Sequence, residues 1–389
     1  MLTVEQALSQ CLALVTALPC EPAALRHAHG RMMPGPAIAT RDQPPFAASA
    51  MDGYAVAGDL TAYSVIGEAG AGHAFAGSVA PGQAVRIFTG APVPDGATRV
   101  IIQEDVSRNG ALITVAPGAD SGPNIRPQGQ DFRAGDTLPP RRLSAHDLAL
   151  LAAMNIGTVT VSRRPVVALI ATGDELVMPG ETPGPAQIIA SNTFALAALI
   201  EAEGGIARIL PIARDTHEDL RCVLTMALDA DLIVTIGGAS VGDHDLVGTV
   251  TAAMGMTRAF WKIAMRPGKP LMAGRLDGKP VLGLPGNPVS AIVCCHLFVL
   301  PMVRALQSRP DVAPDPRRAR LGQPVPANAT RTHYMRARLS AGEDLPRITP
   351  FTAQDSALLR ILSQANALLI RPIGDAARDS GEIVTYLAL

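Results

Sequence analysis

Apolar residues near the start of the chain recur at a helical period: Val4, Ala7, Leu8, Leu12, Val15 and Leu18 predict a helix within residues 3–18. The same spacing returns over residues 142–153, just after Pro139 and Pro140 break the chain. Between these segments the pattern changes. From residue 34 to residue 140, short β-rich runs (YSVIGEAG, QAVRIFTG, RVIIQEDV, ALITVAPG) alternate with turns of Gly, Pro and Asp. Such alternation predicts an all-β insertion at 34–133 within a discontinuous helical domain formed by residues 1–33 and 134–163.

Beyond residue 164, apolar runs of strand length (VVALIAT, ARILPIA, DLIVTIGG, PVLGLPG) alternate with helical stretches, the last of them strongly apolar over residues 289–306. Buried strands interleaved with helices indicate a mostly parallel sheet covered on both faces, and place an α/β domain at 164–308. Proline and charge then replace apolar periodicity over residues 308–320. The remaining segments RARLS, ANALLIRP and EIVTYLAL predict a small β-barrel or sandwich at 316–389. The expected fold class is therefore multidomain α/β plus β, which suits a chain of 389 residues, too long for one hydrophobic core.

Charge adds little to this picture. Lys and Arg total 33 against 34 Asp and Glu, so no nucleic-acid or membrane partner is expected and any anion site must be assembled locally. The five cysteines (Cys11, Cys20, Cys222, Cys294, Cys295) have no CxxC spacing and read as reduced thiols. The opening residues MLTVEQALSQ lack the basic and then apolar regions of an export signal, so the expected location is the cytoplasm. Residues 289–303 hold a His and a Pro and are too short to span a bilayer, which makes them a buried helix.

Polar clusters gather where the predicted α/β strands end, the place where open sheets of this class bind ligands. The first is Thr172-Gly173-Asp174-Glu175-Leu176, which a turn with an acidic helix start explains equally well. The second runs from Gly237 and Gly238 to Asp245, as GGASVGDHD. Adjacent glycines let backbone N–H groups approach an anion, Ser240 adds a hydroxyl, and the acids can hold a divalent ion against a phosphate. A bare turn accounts for the glycines but not for the acids. His244 has no second His or Cys at ligand spacing and reads as an exposed or acid-paired residue. In KIAMRPGKP, Lys262, Arg266 and Lys269 sit on a proline-stiffened segment suited to clamping an anion, and LPGNPVS, with Ser290, opens the apolar helix.

The ordered words SAMDGYA, TGAPVP, VIIQED, NIRPQGQD, TGDEL, GGASVGDHD, MRPGKP and LPGNPVS resemble the MoeA/gephyrin family of molybdenum insertases from one end of the chain to the other. The resemblance implies a discontinuous helical domain, an inserted β domain, a molybdopterin-binding α/β domain and a C-terminal β-barrel. It implies the activity as well: molybdate and adenylylated molybdopterin are the substrates, Mg²⁺ assists, and AMP leaves. Residue by residue, Asp52, Thr89 and Asp131 match acids and a hydroxyl that one subunit lends to its partner's site in a homodimer. Glu175, Asp215, Ser240 and Asp245 match the polar wall, Lys262, Arg266 and Lys269 the cationic segment. Asp215 and Asp245 are the implied metal ligands; which acid ligates metal and which activates water stays open. Lys269, Pro270, Ser290, Arg336 and Ser356 match the molybdate surroundings. Implied partners are the molybdopterin adenylyltransferase and the molybdoenzyme apo-proteins or their chaperones.

Three departures stand out. Gln130 replaces the family's Glu beside Asp131, Arg266 replaces a frequent Lys, and Ile-Ala-Thr leads into TGDEL. Two rival functions remain: a non-catalytic paralogue that carries molybdopterin or finished cofactor to apo-enzymes, which Gln130 keeps open, and a nucleotide-using adenylyltransferase.

Overall fold

The computed structural model describes residues 1–238 and 246–389. The chain forms two compact units. One comprises Met1–Glu21, Gly30–Met32 and Ser162–Leu389; the other comprises Pro22–His29 and Met33–Val161.

The larger unit is built on a six-stranded sheet. Its order is Ile206–Ile209, Val166–Ala171, Leu232–Ile236, Lys279–Leu284, Met272–Leu276, Thr257–Trp261. The first four are mutually parallel, Met272–Leu276 pairs antiparallel to Lys279–Leu284 and Thr257–Trp261 antiparallel to it in turn, so the sheet is mixed with parallel pairing among its first four strands. Alternate residues of one strand feed two different cores: Val167 and Leu169 face one, Ala168 and Ile170 the other, all with 0% exposure. That two-sided burial explains the unbroken apolar runs in the sequence. Chain order reverses between Val166–Ala171 and Leu232–Ile236, whose connections leave in opposite directions along the sheet.

Helix Val4–Ala13 starts with a reciprocal cap in which Thr3 Oγ1 accepts from the Gln6 amide (3.2 Å) and Gln6 Oε1 from the Thr3 amide (3.0 Å). Its buried residues Val4, Ala7 and Cys11 join the core on one face of the α/β sheet. Helix Ala145–Ala153, with the same kind of cap at Ser144 and Asp147, packs in the smaller unit around Leu143, Leu151 and Met154. The apolar segment Pro288–Leu306 is the one helix among the described residues long and apolar enough to cross a membrane, and it is buried in the α/β core.

At the C-terminal end, strands Thr332–Ser340, Arg347–Pro350, Arg317–Leu321, Ile383–Ala388 and Ala367–Arg371 close on themselves into a five-stranded barrel. Leu369 points into the barrel while its neighbour Leu368 packs against the α/β core, which joins the two layers. Strand Met265–Arg266 adds to the barrel in parallel, pairing Arg266 with His333. The smaller unit carries its own six-stranded sheet, ordered Arg99–Ile102, Gly53–Val56, Gln83–Ile87, Ala62–Ala69, Leu112–Val115, Val106–Asn109. A side chain at Gly53 would strike the Ile101 carbonyl, which accounts for the glycine of SAMDGYA.

An ionic clamp ties the α/β helices together: Glu203, just past helix Asn192–Ala202, accepts from Arg304 and Arg309. Burial pushes the Glu203 carboxyl up, but the two guanidinium groups outweigh it and hold it below the ordinary 4.5. A depressed native value means that the pair stabilises the fold above pH 4.5, and that this contribution fades as pH falls through the native value. Glu203→Gln should therefore cost about 2 kcal/mol near neutral pH. The difference in thermal midpoint between variant and parent should shrink steadily on acidification below pH 4.5.

Candidate functional site

The C-terminal ends of three parallel strands open into a cleft of about 970 Å³. Val166–Ala171 leads into Thr172 and Gly173, Leu232–Ile236 into Gly237 and Gly238, and Lys279–Leu284 into Pro285, Gly286 and Asn287; all of these line the cleft. It lies where strand order reverses, as the topology of open α/β sheets requires. Gly237 (φ 98°) and Gly238 (φ 64°) need their left-handed backbone, and a Cβ on Gly237 would lie 2.8 Å from the Thr172 carbonyl oxygen.

An acidic wall follows from local hydrogen bonding. The Asp215 amide donates to Asp174 Oδ1 (3.1 Å) and the Asp174 amide to Asp215 Oδ2 (3.4 Å), so the two carboxylates are held side by side with one oxygen of each left over. Arg214 donates to the Asp174 and Leu176 carbonyls at 3.2 and 2.9 Å, which fixes the TGDEL turn. Glu175 and Asp215 both line the cleft. Asp174, which the motif reading treated only as part of a turn, is tied to the cleft acid Asp215. Ser240 and Asp245 lie outside the described residues, and among the described residues no group of three or more His, Cys, Asp or Glu is arranged around one metal position.

The cationic segment follows strand Thr257–Trp261 and reaches the cleft at Pro270. Lys262 has φ 70° and holds its ammonium 4.1 Å over the Trp261 ring. Arg266 and Lys269 are exposed and make no ion pair among the described residues, while Pro270 lines the cleft. Beside Arg266, His333 is driven down to about 4 by burial and by Arg266, Arg336, Arg371 and Arg331, so it is neutral at physiological pH.

Arg336 is only 1% exposed. Its Nε and Nη2 donate to Gln354 Oε1 (3.2 Å each) and its Nη1 to the Asp355 carbonyl (2.6 Å). The next residue, Ser356, accepts from the Val289 amide (3.0 Å) and, through Oγ, from Asn287 Nδ2 (3.1 Å). Arg336 thus braces the barrel segment that meets the start of helix Pro288–Cys294. Asn192 completes the rim by donating to the Gly286 carbonyl at 2.8 Å. Ser290, in the first turn of that helix, is 4% exposed and its hydroxyl makes no hydrogen bond among the described residues. Asn192 carried no functional signal in the sequence and Asn287 only as part of the LPGNPVS word, because their partners lie far away along the chain.

In the smaller unit, Asp52 Oδ1 accepts from both the amide and the hydroxyl of Thr89 at 2.7 Å. These two bonds hold the Asp52 carboxyl below the usual carboxylate range. Asp131 and Gln130 line a separate depression of about 520 Å³ with Arg126 and Gly90.

Three family models together cover most of the chain: the MoeA N-terminal region (domain I and II) at residues 2–155, a probable molybdopterin binding domain at 168–305, and the MoeA C-terminal region (domain IV) at 318–389. The chain is 34% identical to a molybdopterin molybdenumtransferase of Nostoc sp. over 93% of its own length and 87% of that protein's. The chain belongs to the molybdopterin molybdenumtransferase family. A second member, from Haemophilus influenzae, is 36% identical over 79% of this chain and 78% of its own. The crystal structure of a molybdopterin biosynthesis MoeA protein from Pyrococcus horikoshii superposes with a TM-score of 0.82 at 30% identity, covering 100% of this chain and 99% of that one. Family membership and fold therefore agree over the whole chain, barrel included.

The Arg336 geometry is directly testable. Arg336→Lys keeps the charge but cannot reach Gln354 and the Asp355 carbonyl together, so about 1–3 kcal/mol of stability should be lost. Chemical denaturation would measure the loss, and an unchanged midpoint would contradict the bracing role.

Proposed function

We propose that this protein is a molybdopterin molybdenumtransferase, which takes adenylylated molybdopterin and molybdate, cleaves the pyrophosphate link, releases AMP and leaves molybdenum on the dithiolene. The observation that carries the reading is the cleft at the sheet's order reversal, lined by Glu175, Asp215 and Pro270, the last residue of the proline-stiffened cationic segment, in a chain whose relatives of that name align along most of its length. Those relatives are named as transferases, and nothing in them favours the non-catalytic carrier.

Molybdate is a dianion that must approach a substrate already carrying phosphates. Exposed cations offset that repulsion best, and Lys269 and Arg266 are exposed and make no ion pair among the described residues. Ser290 and Ser356 offer hydroxyls at the helix start, and Arg336 supports that wall through Gln354 and Asp355. The free oxygens of Asp174 and Asp215 are hard donors that fit Mg²⁺, and the family motif adds Asp245 as a further candidate ligand. When bound, Mg²⁺ would neutralise charge on the pyrophosphate. In this reading the working form is a cytoplasmic homodimer in which Asp52, Thr89 and Asp131 of one subunit serve the partner's site. The Thr89 bonds keep Asp52 ionised and aimed, while Gln130 leaves Asp131 without the neighbouring acid that relatives have.

The test supplies adenylylated molybdopterin, Mg²⁺ and molybdate and follows AMP release. Lys269→Ala should raise the molybdate concentration needed for half-maximal turnover by about one to two decades, the worth of one charge-assisted hydrogen bond, and leave pterin binding in the absence of molybdate unchanged. Loss of pterin binding with a normal molybdate response would assign Lys269 to the wrong anion. Asp52→Ala should stay folded and lose nearly all turnover. Mixed with Asp245→Ala protomers it should regain activity if sites are shared, and no recovery would count against the shared site. Gln130→Glu should change Mg²⁺ dependence more than molybdate affinity.

A further inference from the structure

Three strand ends of the smaller unit meet at Asp52, and one side chain ties them together. Antiparallel pairing sets Gly53 opposite both Ile87 and Ile102. Asp52, just before its strand, therefore falls beside Thr89 and Gln103, which lie just past theirs. Along Gln83–Ile87, Val85 and Ile87 enter one core and Ala84 the other, so Arg86 shares the Ala84 face and has Tyr54 as its cross-strand partner. The Arg86 guanidinium carbon lies 5.1 Å from the centre of the Tyr54 ring and 4.8 Å from that of Phe88. Its Nη1 donates to the Gly53 carbonyl (2.9 Å) and its Nη2 to Gln103 Oε1 (2.5 Å), while the Gln103 amide donates to the Asp52 carbonyl (3.0 Å).

These contacts converge on one carboxylate without consuming it. Arg86 spends its donors on the groups that flank Asp52, and it makes no ion pair with that acid among the described residues. Thr89 holds Asp52 Oδ1 through its amide and hydroxyl, and Oδ2 accepts no hydrogen bond among the described residues. The Thr89 amide and hydroxyl lower the Asp52 carboxyl, and the nearby Arg86 charge lowers it further against the effect of burial. Main chain, side chain and charge state of Asp52 are thus all set from this cluster. We propose that Arg86 is a positioning residue for turnover: its planar fork, laid on Tyr54 and Phe88, fixes the main chain around Asp52 and so aims the free carboxylate oxygen. The inference rests on the molybdenumtransferase reading, which gives Asp52 a part in the reaction. A lysine cannot replace this arginine, because an ammonium has neither the fork that spans Gly53 and Gln103 nor the plane that stacks on the rings.

The experiment follows steady-state AMP release from adenylylated molybdopterin with Mg²⁺ and molybdate, for the wild type and for Arg86→Met, Arg86→Lys, Gln103→Leu, Asp52→Ala and Arg108→Met. Arg108 is the control: it lies exposed on strand Val106–Asn109 of the same sheet and bonds the Gly110 carbonyl. Arg86→Met, which keeps an apolar stem on the rings, should lower kcat on the order of a hundredfold, the usual consequence of misplacing a reacting group by about 1 Å. KM for both substrates should stay near the parent's, since the lost interaction aims a group and binds neither substrate. Arg86→Lys should lower kcat by about tenfold, keeping the charge and one donor. Gln103→Leu should lower kcat less than Arg86→Met does, and Arg108→Met should match the parent. Circular dichroism of each variant fixes the folded fraction to which kcat is normalised, and Arg86→Lys with Gln103→Leu carries the test if Arg86→Met does not fold. A parent-like kcat in Arg86→Met overturns the proposal. So does a raised KM with kcat kept, which would make Arg86 a binding residue, or a lysine variant no better than methionine. A wild type that releases no AMP sinks the functional reading itself; an active wild type and inactive Asp52→Ala beside fully active Arg86 variants sinks this inference alone.

Discussion

Everything in the α/β domain depends on burying both faces of the central strands. Val166–Ala171 and Leu232–Ile236 expose almost nothing on either side, so helices must cover both, and the chain must leave these neighbouring strands in opposite directions. A gap at their C-terminal ends follows from the geometry, and no side chain can fill it where Gly237 and Gly238 pack against Thr172. Function is located by that constraint before any polar residue is considered.

The chemistry of the cleft is then a matter of how charge is held. Asp174 and Asp215 are fixed by each other's amides rather than by cations, which leaves carboxylate oxygen available. Asp52 is held in the same way by Thr89. Cations follow the opposite rule: exposed Arg266 and Lys269 make no ion pair among the described residues, while buried Arg309, Arg336 and Arg371 are bonded within the fold. Glu203 with Arg304 and Arg309 clamps helices, Asp375 with Arg371 closes one end of the barrel, and Arg336 braces the segment that carries Ser356.

The sequence by itself determined the class of each segment and the family. Periodicities of 3.6 and 2 are local properties, and they marked helix Val4–Ala13, the β-rich stretch of the smaller unit, the apolar parallel strands and the barrel strands. It also marked Gly237 and Gly238, since adjacent glycines after a buried strand report a backbone constraint. What it could not contain was the pairing of distant groups. Helix Val4–Ala13 docks on the α/β core because Ala7 and Cys11 find apolar partners far away in the chain. Asp174 is paired with the cleft acid Asp215, forty-one residues away, only in the fold, and only the fold shows Arg336 directing three of its N–H groups to Gln354 and the Asp355 carbonyl. Thr193 lies in no motif and Thr172 stands in TGDEL only as the start of a turn, because a buried hydroxyl unpartnered among the described residues is defined by what surrounds it. Local spacing sets which elements form; burial and hydrogen-bond satisfaction, which are sums over the folded neighbourhood, decide what each side chain is free to do.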